Sequence, residues 1–227
     1  MNILFLNPIR VLLCILSTLL LISCAGSQKV YTSEKPLQGV ETILVMPFQN
    51  LYKVYGAKVH IDCAFCNRRH VVAEMPEGTA EFMTDHLKNL LMNDRAYRFV
   101  FPEQTDDSVI NLPADKNGVV RMNQLVATVG DTDTVDAILV GYIFHFRERV
   151  GARYSVESPA SAAFSLFLTR ISDGKIVWCG VFEETQQALS ENLLKLGAFI
   201  KRKARWVTVR KLAADGLENM MLTFPKP

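Results

Sequence analysis

The stretch Asp136–Arg149, DAILVGYIFHFRER, decides the fold of this 227-residue chain. Its alternate residues on one face are all apolar: Ile138, Val140, Tyr142, Phe144 and Phe146. The opposite face begins apolar at Leu139 and Ile143 and turns polar from His145 onward. A strand with two apolar faces has to be covered on both sides. The pattern therefore predicts a sandwiched strand whose far end emerges into solvent.

The segments on either side supply partners for this strand. Glu41–Phe48 is a continuous apolar run that predicts a buried first strand, and Tyr97–Phe101 predicts a short one. Two later apolar runs joined by Asp173–Gly174 predict a hairpin with a positive φ at its turn. Helical spacing of apolar residues begins at Thr79 and again after Thr208, a residue suited to an N-cap. We therefore expect a mixed α/β fold, with helices packed on a central sheet of about five strands.

The first 23 residues carry the features of a secretory signal. A single basic residue, Arg10, precedes the apolar run VLLCILSTLLLI, which is shorter than the roughly 20 residues that a membrane span needs. The run ends in Leu21-Ile22-Ser23-Cys24, which resembles a bacterial lipobox. That resemblance implies cleavage before Cys24 and acylation of Cys24, and Ala25 after it resembles the sorting pattern of outer-membrane lipoproteins.

The predicted mature chain has three parts and almost no net charge. Residues 24–39 are predicted to form a lipidated cysteine with a flexible tether. Residues 40–227 are predicted to form one periplasmic domain, with a Cys-x-x-Cys loop inserted at about 50–76. Removal of Arg10 leaves 25 − 1 = 24 basic residues against 23 acidic ones, which argues against a nucleic-acid partner. The expected location is the outer membrane, with the domain facing the oxidising periplasm.

Three segments together resemble a known group of bacterial lipoproteins. They are ILVMPFQN (43–50), DAILVGYI (136–143) and SLFLTRISDGKIVWCG (165–180). They are similar to the group around the curli-secretion protein CsgG and the penicillin-binding-protein activator LpoB. The resemblance spans roughly residues 40–224 and implies the fold and the location, but it carries over no functional residue. The tether is too short for an LpoB-like reach across the cell wall, and no CsgG-like pair of barrel-lining stretches is visible.

The stretch His60–His70, HIDCAFCNRRH, places two cysteines between two histidines. Covalent haem attachment needs a histidine at position 67, which is Asn67, so that chemistry is excluded. A zinc knuckle and a plain disulfide between the two cysteines stay open, and a thiol-redox pair next to two arginines is a further alternative. The zinc ligands would be Cys63, Cys66, His60 and His70. Cys179 lies in an apolar strand and is predicted to be a buried free thiol.

A basic cluster precedes the last helix. Its members are Lys201, Arg202, Lys203 and Arg205. Because these charges oppose the dipole of a helix that begins after Thr208, one interpretation is a surface for anionic head groups, cell-wall carboxylates or an acidic protein. The other is a solvated loop with Trp206 in the core. His145 and Glu183 are interpreted as surface residues at strand ends.

The sequence favours a binding function over catalysis. It has no Gly-rich phosphate loop, no Gly-x-Ser-x-Gly elbow and no spacing that singles out a catalytic triad. We therefore expect a non-enzymatic lipoprotein that binds or scaffolds another envelope component, either a protein or cell-wall material. The alternative is a zinc-binding or thiol-redox periplasmic protein that acts through the loop of Cys63 and Cys66.

Overall fold

The computed structural model describes residues 28–32, 37, 39–63, 68–92, 96–101, 135–151, 156–186 and 207–226. Its strands are β1 (Gln28–Thr32), β2 (Thr42–Val45), β3 (Gln49–Asn50), β4 (His60–Cys63), β5 (Arg68–Val71), β6 (Arg98–Val100), β7 (Ala137–Arg147), β8 (Val150–Gly151), β9 (Val156–Ser158), β10 (Ser161–Arg170) and β11 (Ile176–Thr185). Its helices are α1 (Leu51–Tyr55), α2 (Thr79–Met92) and α3 (Val209–Met221). Within these ranges, no helix combines the length and the apolar composition that crossing a membrane requires.

One mixed sheet organises the molecule and confirms the predicted fold class. Its strand order is β1-β11-β10-β7-β2-β6, and the short β3 also pairs with β7. Strands β1, β11, β10 and β7 are antiparallel neighbours, whereas β2 lies parallel to both β7 and β6. The sheet is larger than the predicted five strands because β1 and β3 join it.

Strand β1 lies inside the segment, residues 24–39, for which the sequence predicts a flexible tether. Its residues pair antiparallel with β11, with Gln28 opposite Phe182 and Thr32 opposite Trp178. The physical reason is that the free edge of β11 exposes unpaired N–H and C=O groups, which a returning chain segment satisfies. The local sequence of β1 carries no such information, because the edge is created by strands more than 100 positions away.

Helices α2 and α3 cover one face of the sheet, which we name the helix face. The residues of α2 that are buried there include Met83, Leu87 and Leu91, as the helical spacing predicted. On α3, Thr208 is the expected N-cap: its side chain accepts a hydrogen bond of 3.2 Å from the N–H of Lys211. Trp178 is fully buried on this face, with its ring 5.1 Å from that of Phe224.

The opposite face of the sheet is covered by α1 and by the two-stranded hairpin β4–β5. Ile61, Cys63 and Val72 of this segment are buried against β7, β10 and β11 in a second apolar cluster. The sequence predicted a Cys-x-x-Cys loop inserted at about residues 50–76 and did not indicate what the loop contacts. Its alternating residues bury one face of the hairpin on the sheet, so we name this second side the hairpin face.

A bulge in β7 changes which face its last residues occupy. Ala163 of β10 lies opposite His145, but the next residue, Phe164, lies opposite Ile143, so Phe144 has no partner in the register. Phe144 packs in the cluster of the hairpin face and Phe146 in that of the helix face. The prediction that both phenylalanines share one face is therefore wrong, because one extra residue in a strand breaks the period of two.

Gly141 of β7 gives a test of the packing on the helix face. A Cβ atom added at Gly141 would lie 2.5 Å from ring carbons of Phe48. We expect Gly141→Ala to lower the free energy of unfolding by about 1–3 kcal/mol, because the ring has to move within a filled core. Chemical denaturation measures this loss. In a Phe48→Leu background the same substitution should cost less, and an equal cost in both backgrounds would contradict the steric explanation.

Candidate functional site

The hairpin β4–β5 separates the two histidines that the sequence grouped together. Ile61 pairs with His70 in the register and both are buried, while His60 pairs with Val71 and both are exposed. Directly paired residues share a face of an antiparallel ladder, so the inner face carries His70 and the outer face carries His60. The outer face also holds the exposed ion pair between Asp62 and Arg69, at 2.7 Å, which contributes little to stability.

His70 attaches the hairpin to the sheet. Its side chain is completely buried, and its ring stacks on that of Phe144 with centroids 4.1 Å apart and an interplanar angle of 16°. Its Nδ1 lies 3.1 Å from Oε2 of Glu183 on β11. The N–H of Ala73 also donates a hydrogen bond of 3.0 Å to the carbonyl of Phe144. A stacking contact, a polar contact and a main-chain hydrogen bond thus hold the segment from His70 to Ala73 against the sheet.

His145 continues this polar contact along the end of the sheet. Its ring donates to the main-chain carbonyl of Val71 on the hairpin, and its Nε2 lies 2.8 Å from Oγ of Ser161. Ser161 Oγ lies 2.8 Å from Oγ1 of Thr185. These contacts join His145, Ser161 and Thr185 in one hydrogen-bonded row, in which the donors depend on the tautomer of the imidazole.

Together these residues form what we name the hairpin cluster. Its members are Arg68, His70, His145, Ser161, Glu183 and Thr185. The contact with His70 lowers the pKa of Glu183, with His145 and Arg68 adding to the effect and partial burial opposing it. Burial lowers the pKa of His145; Arg147 and His70 act in the same direction, and Glu183 opposes them.

The structure brings together only part of the predicted metal site. Cys63 lies on the inner face of the hairpin and is disulfide-bonded, while Cys179 is a buried free thiol, as predicted. Cys66 lies outside the described residues, so its pairing with Cys63 stays a prediction. Among the residues that are described, no three His, Cys, Asp or Glu side chains converge as metal ligands. A zinc site using both His60 and His70 would need one of them to leave its face of the hairpin.

Two other predicted sites lie outside the described residues. They are the lipidation site Cys24 and the basic cluster of Lys201, Arg202, Lys203 and Arg205. The structure instead reveals roles for Glu183 and His145, which the sequence had assigned to plain surface positions. The Asp173–Gly174 turn sets Thr169 opposite Ile176, but a register shift between Leu168 and Thr169 then puts Ser161 opposite Thr185. That pair was therefore not available from the sequence, and neither was the place of His145, which depends on the bulge in β7.

The contact between Ser161 and His145 resembles the pair that activates a catalytic serine. Here the Ser161 residue is only 1% exposed, and its hydroxyl is also engaged by Thr185. A serine nucleophile has to reach the substrate, and this oxygen is enclosed between strands. The geometry therefore favours a structural role, in which the polar side chains at this end of the sheet form hydrogen bonds with one another.

The hairpin cluster predicts a dependence of stability on pH. Because the pKa of His145 is lowered in the folded protein, the unfolded chain binds a proton more readily as the pH falls. We expect the free energy of unfolding to be constant above about pH 7 and to fall as the pH drops below about 6.5. Glu183, whose folded pKa is also lowered, adds a second decline below about pH 4.5. Chemical denaturation at a series of pH values measures both.

Two glutamine variants identify the source of the first decline. His145→Gln keeps a side chain that hydrogen-bonds but does not titrate, so the loss of stability between about pH 7 and 5 should become smaller. His60→Gln, on the exposed outer face of the hairpin, should leave the slope unchanged. If His60→Gln reduces the pH dependence of the free energy of unfolding and His145→Gln does not, the assignment to His145 is refuted.

No protein-family model and no curated protein matches the chain. Among solved structures, a PelC dodecamer from Paraburkholderia phytofirmans is similar with a TM-score of 0.39 and 10% identity, covering 72% of this chain and 86% of that one. A Neisseria meningitidis lipoprotein has a TM-score of 0.35 and 14% identity, covering 72% and 98%. A Xanthomonas campestris protein of the family model DUF330 has a TM-score of 0.37 and 8% identity, covering 84% and 92%. Likenesses this remote assign neither a family nor a function.

Proposed function

We propose that this chain is a lipoprotein of the outer membrane whose periplasmic domain binds or scaffolds another envelope component without catalysing a reaction. The observation that carries the proposal is the short link between Cys24 and the fold. Strand β1 begins at Gln28, so 28 − 24 = 4 chain steps join the two. Four residues span at most about 14 Å. An acylated Cys24 would therefore hold the domain directly at the bilayer.

The hairpin cluster supports the non-catalytic part of the proposal. Its polar groups face one another across the hairpin and the sheet, and Ser161 and His70 are buried. Such an arrangement stabilises the attachment of the hairpin and leaves the outer surfaces for recognition. The bound component is expected to be an envelope protein or cell-wall material.

The lipid anchor is tested by matched cysteine variants in a bacterial host. We expect the wild-type chain to incorporate labelled palmitate and to fractionate with the outer membrane, and Cys24→Ala to do neither. Cys14→Ala should behave as wild type, because that residue is predicted to leave with the signal peptide. A Cys24→Ala chain that is still labelled and still in the outer membrane would refute the proposal.

The absence of catalysis and the presence of a partner need separate measurements. Purified protein is assayed against ester, phosphoester and peptide substrates, and turnover that Ser161→Ala abolishes would overturn the non-catalytic function. Crosslinking in intact envelopes, followed by mass spectrometry, should recover one envelope component in excess over a Cys24→Ala strain. Recovery of nothing beyond that strain would contradict a binding function.

A thiol-disulfide role is the second candidate, because Cys63 is disulfide-bonded and lies opposite Arg68 in the hairpin register. A nearby cation stabilises a thiolate. Cys63 is only 9% exposed, however, which limits attack by another thiol. A structural disulfide that fixes the hairpin fits this burial better.

Thiol counting on the mature lipoprotein in detergent distinguishes a disulfide at Cys63 from a zinc knuckle. We expect no rapid reaction in the native state, because Cys179 is buried and burial raises its pKa to about 12. Unfolding without reductant should expose the Cys179 thiol alone, and reduction should add those of Cys63 and Cys66. Reaction of all three on unfolding without reductant, with release of zinc, would support the metal knuckle instead.

A further inference from the structure

The strand pairings bring several chain ends to one end of the sheet. Strand β1 runs antiparallel to β11, β11 to β10, and β10 to β7. The first residue of β1, Gln28, therefore lies at the same end of the sheet as the last residue of β11, Thr185. Ser161 and Arg147 face each other in the register at this end as well. We name it the Gln28 end.

The Gln28 end presents an exposed apolar residue and an exposed arginine. Strands β8 and β9 pair beyond the end of β7, and Val150 of β8 is 54% exposed. Arg147, the last residue of β7, is exposed at the same end. The neighbouring Glu148 is also exposed, and its carboxylate accepts hydrogen bonds of 3.2 and 3.3 Å from the N–H of Val209, at the start of α3.

The other end of the sheet has a different surface. The turn between β10 and β11 holds Asp173, which accepts from Arg170 at 2.7 Å, and Lys175, which is 73% exposed. Strand β10 has 10 residues, so this turn lies about 30 Å from the Gln28 end. We name it the Gly174 end.

We propose that the Gln28 end faces the bilayer that carries Cys24, with Val150 and Arg147 contacting the phospholipid headgroup layer. This inference rests on the proposed lipid anchor. The link from Cys24 to Gln28 spans at most about 14 Å, which is shorter than the sheet. In a domain that stands upright on the bilayer, the anchor therefore holds the Gln28 end closer to the membrane than the Gly174 end. An exposed apolar side chain and an exposed arginine at one end of the sheet suit the boundary between acyl chains and phosphates. The Gly174 end is thereby left to face the periplasm.

The test uses the acylated full chain in vesicles of phosphatidylethanolamine and phosphatidylglycerol that contain a headgroup spin-labelled lipid. Ser158→Cys, on β9 opposite Val150, and Ser172→Cys, at the Gly174 end, each carry a thiol-linked fluorophore. The reagent should spare the buried Cys179. We expect the spin label to remove most of the fluorescence at position 158 and little at position 172. Val150→Asp in the Ser158→Cys chain should restore part of the fluorescence at position 158.

Other outcomes overturn the inference in distinguishable ways. Equal quenching at both positions means that the domain lies flat, and quenching at neither means that a partner or a second copy covers the Gln28 end. If either probe disrupts folding, Glu157→Cys and Lys175→Cys, both exposed, replace the pair. Sedimentation with the vesicles is measured first. A chain that does not sediment refutes the proposed lipid anchor and this inference with it, whereas one that sediments without quenching at position 158 refutes the orientation alone.

Discussion

The burial of β7 on both faces is the constraint on which the rest of the structure depends. Its residues from Ala137 to Phe144 are all buried, so neither face of the sheet can be left to water at this strand. Two helices cover one face. The other is covered by α1 and by a hairpin too short to be stable alone, which has to be attached to the sheet by specific contacts.

His70 supplies that attachment, and this explains why polar side chains gather at one end of the sheet. A buried imidazole needs partners, and Glu183 and Phe144 provide a polar and an aromatic one. The disulfide of Cys63 acts on the same hairpin from its inner face. The polar cluster that most resembles a catalytic site therefore holds a covering element in place.

The elements whose local pattern matches their final environment were predictable. Helices α2 and α3, the cap at Thr208 and the turn at Gly174, with a φ of 65°, follow from spacing and turn chemistry within a few residues. The bulge at Phe144 and the strand β1 were not predictable in this way. The bulge lets the residues of one strand pack against both covering layers, and β1 pairs with the edge of β11. Both features depend on contacts with residues that are distant in the sequence, so their local sequences do not predict them.

The sequence by itself determined that β7 begins apolar on both faces, that two cysteines follow the apolar run of Glu41–Phe48, and that Cys24 follows another apolar run. Only the tertiary structure decided which face of the hairpin turns inward, and so separated His70 from His60. The register of the hairpin places the two histidines on opposite faces but leaves open which face turns inward. Stacking on Phe144 and the contact with Glu183 favour the inward position of His70, because a buried imidazole needs such partners.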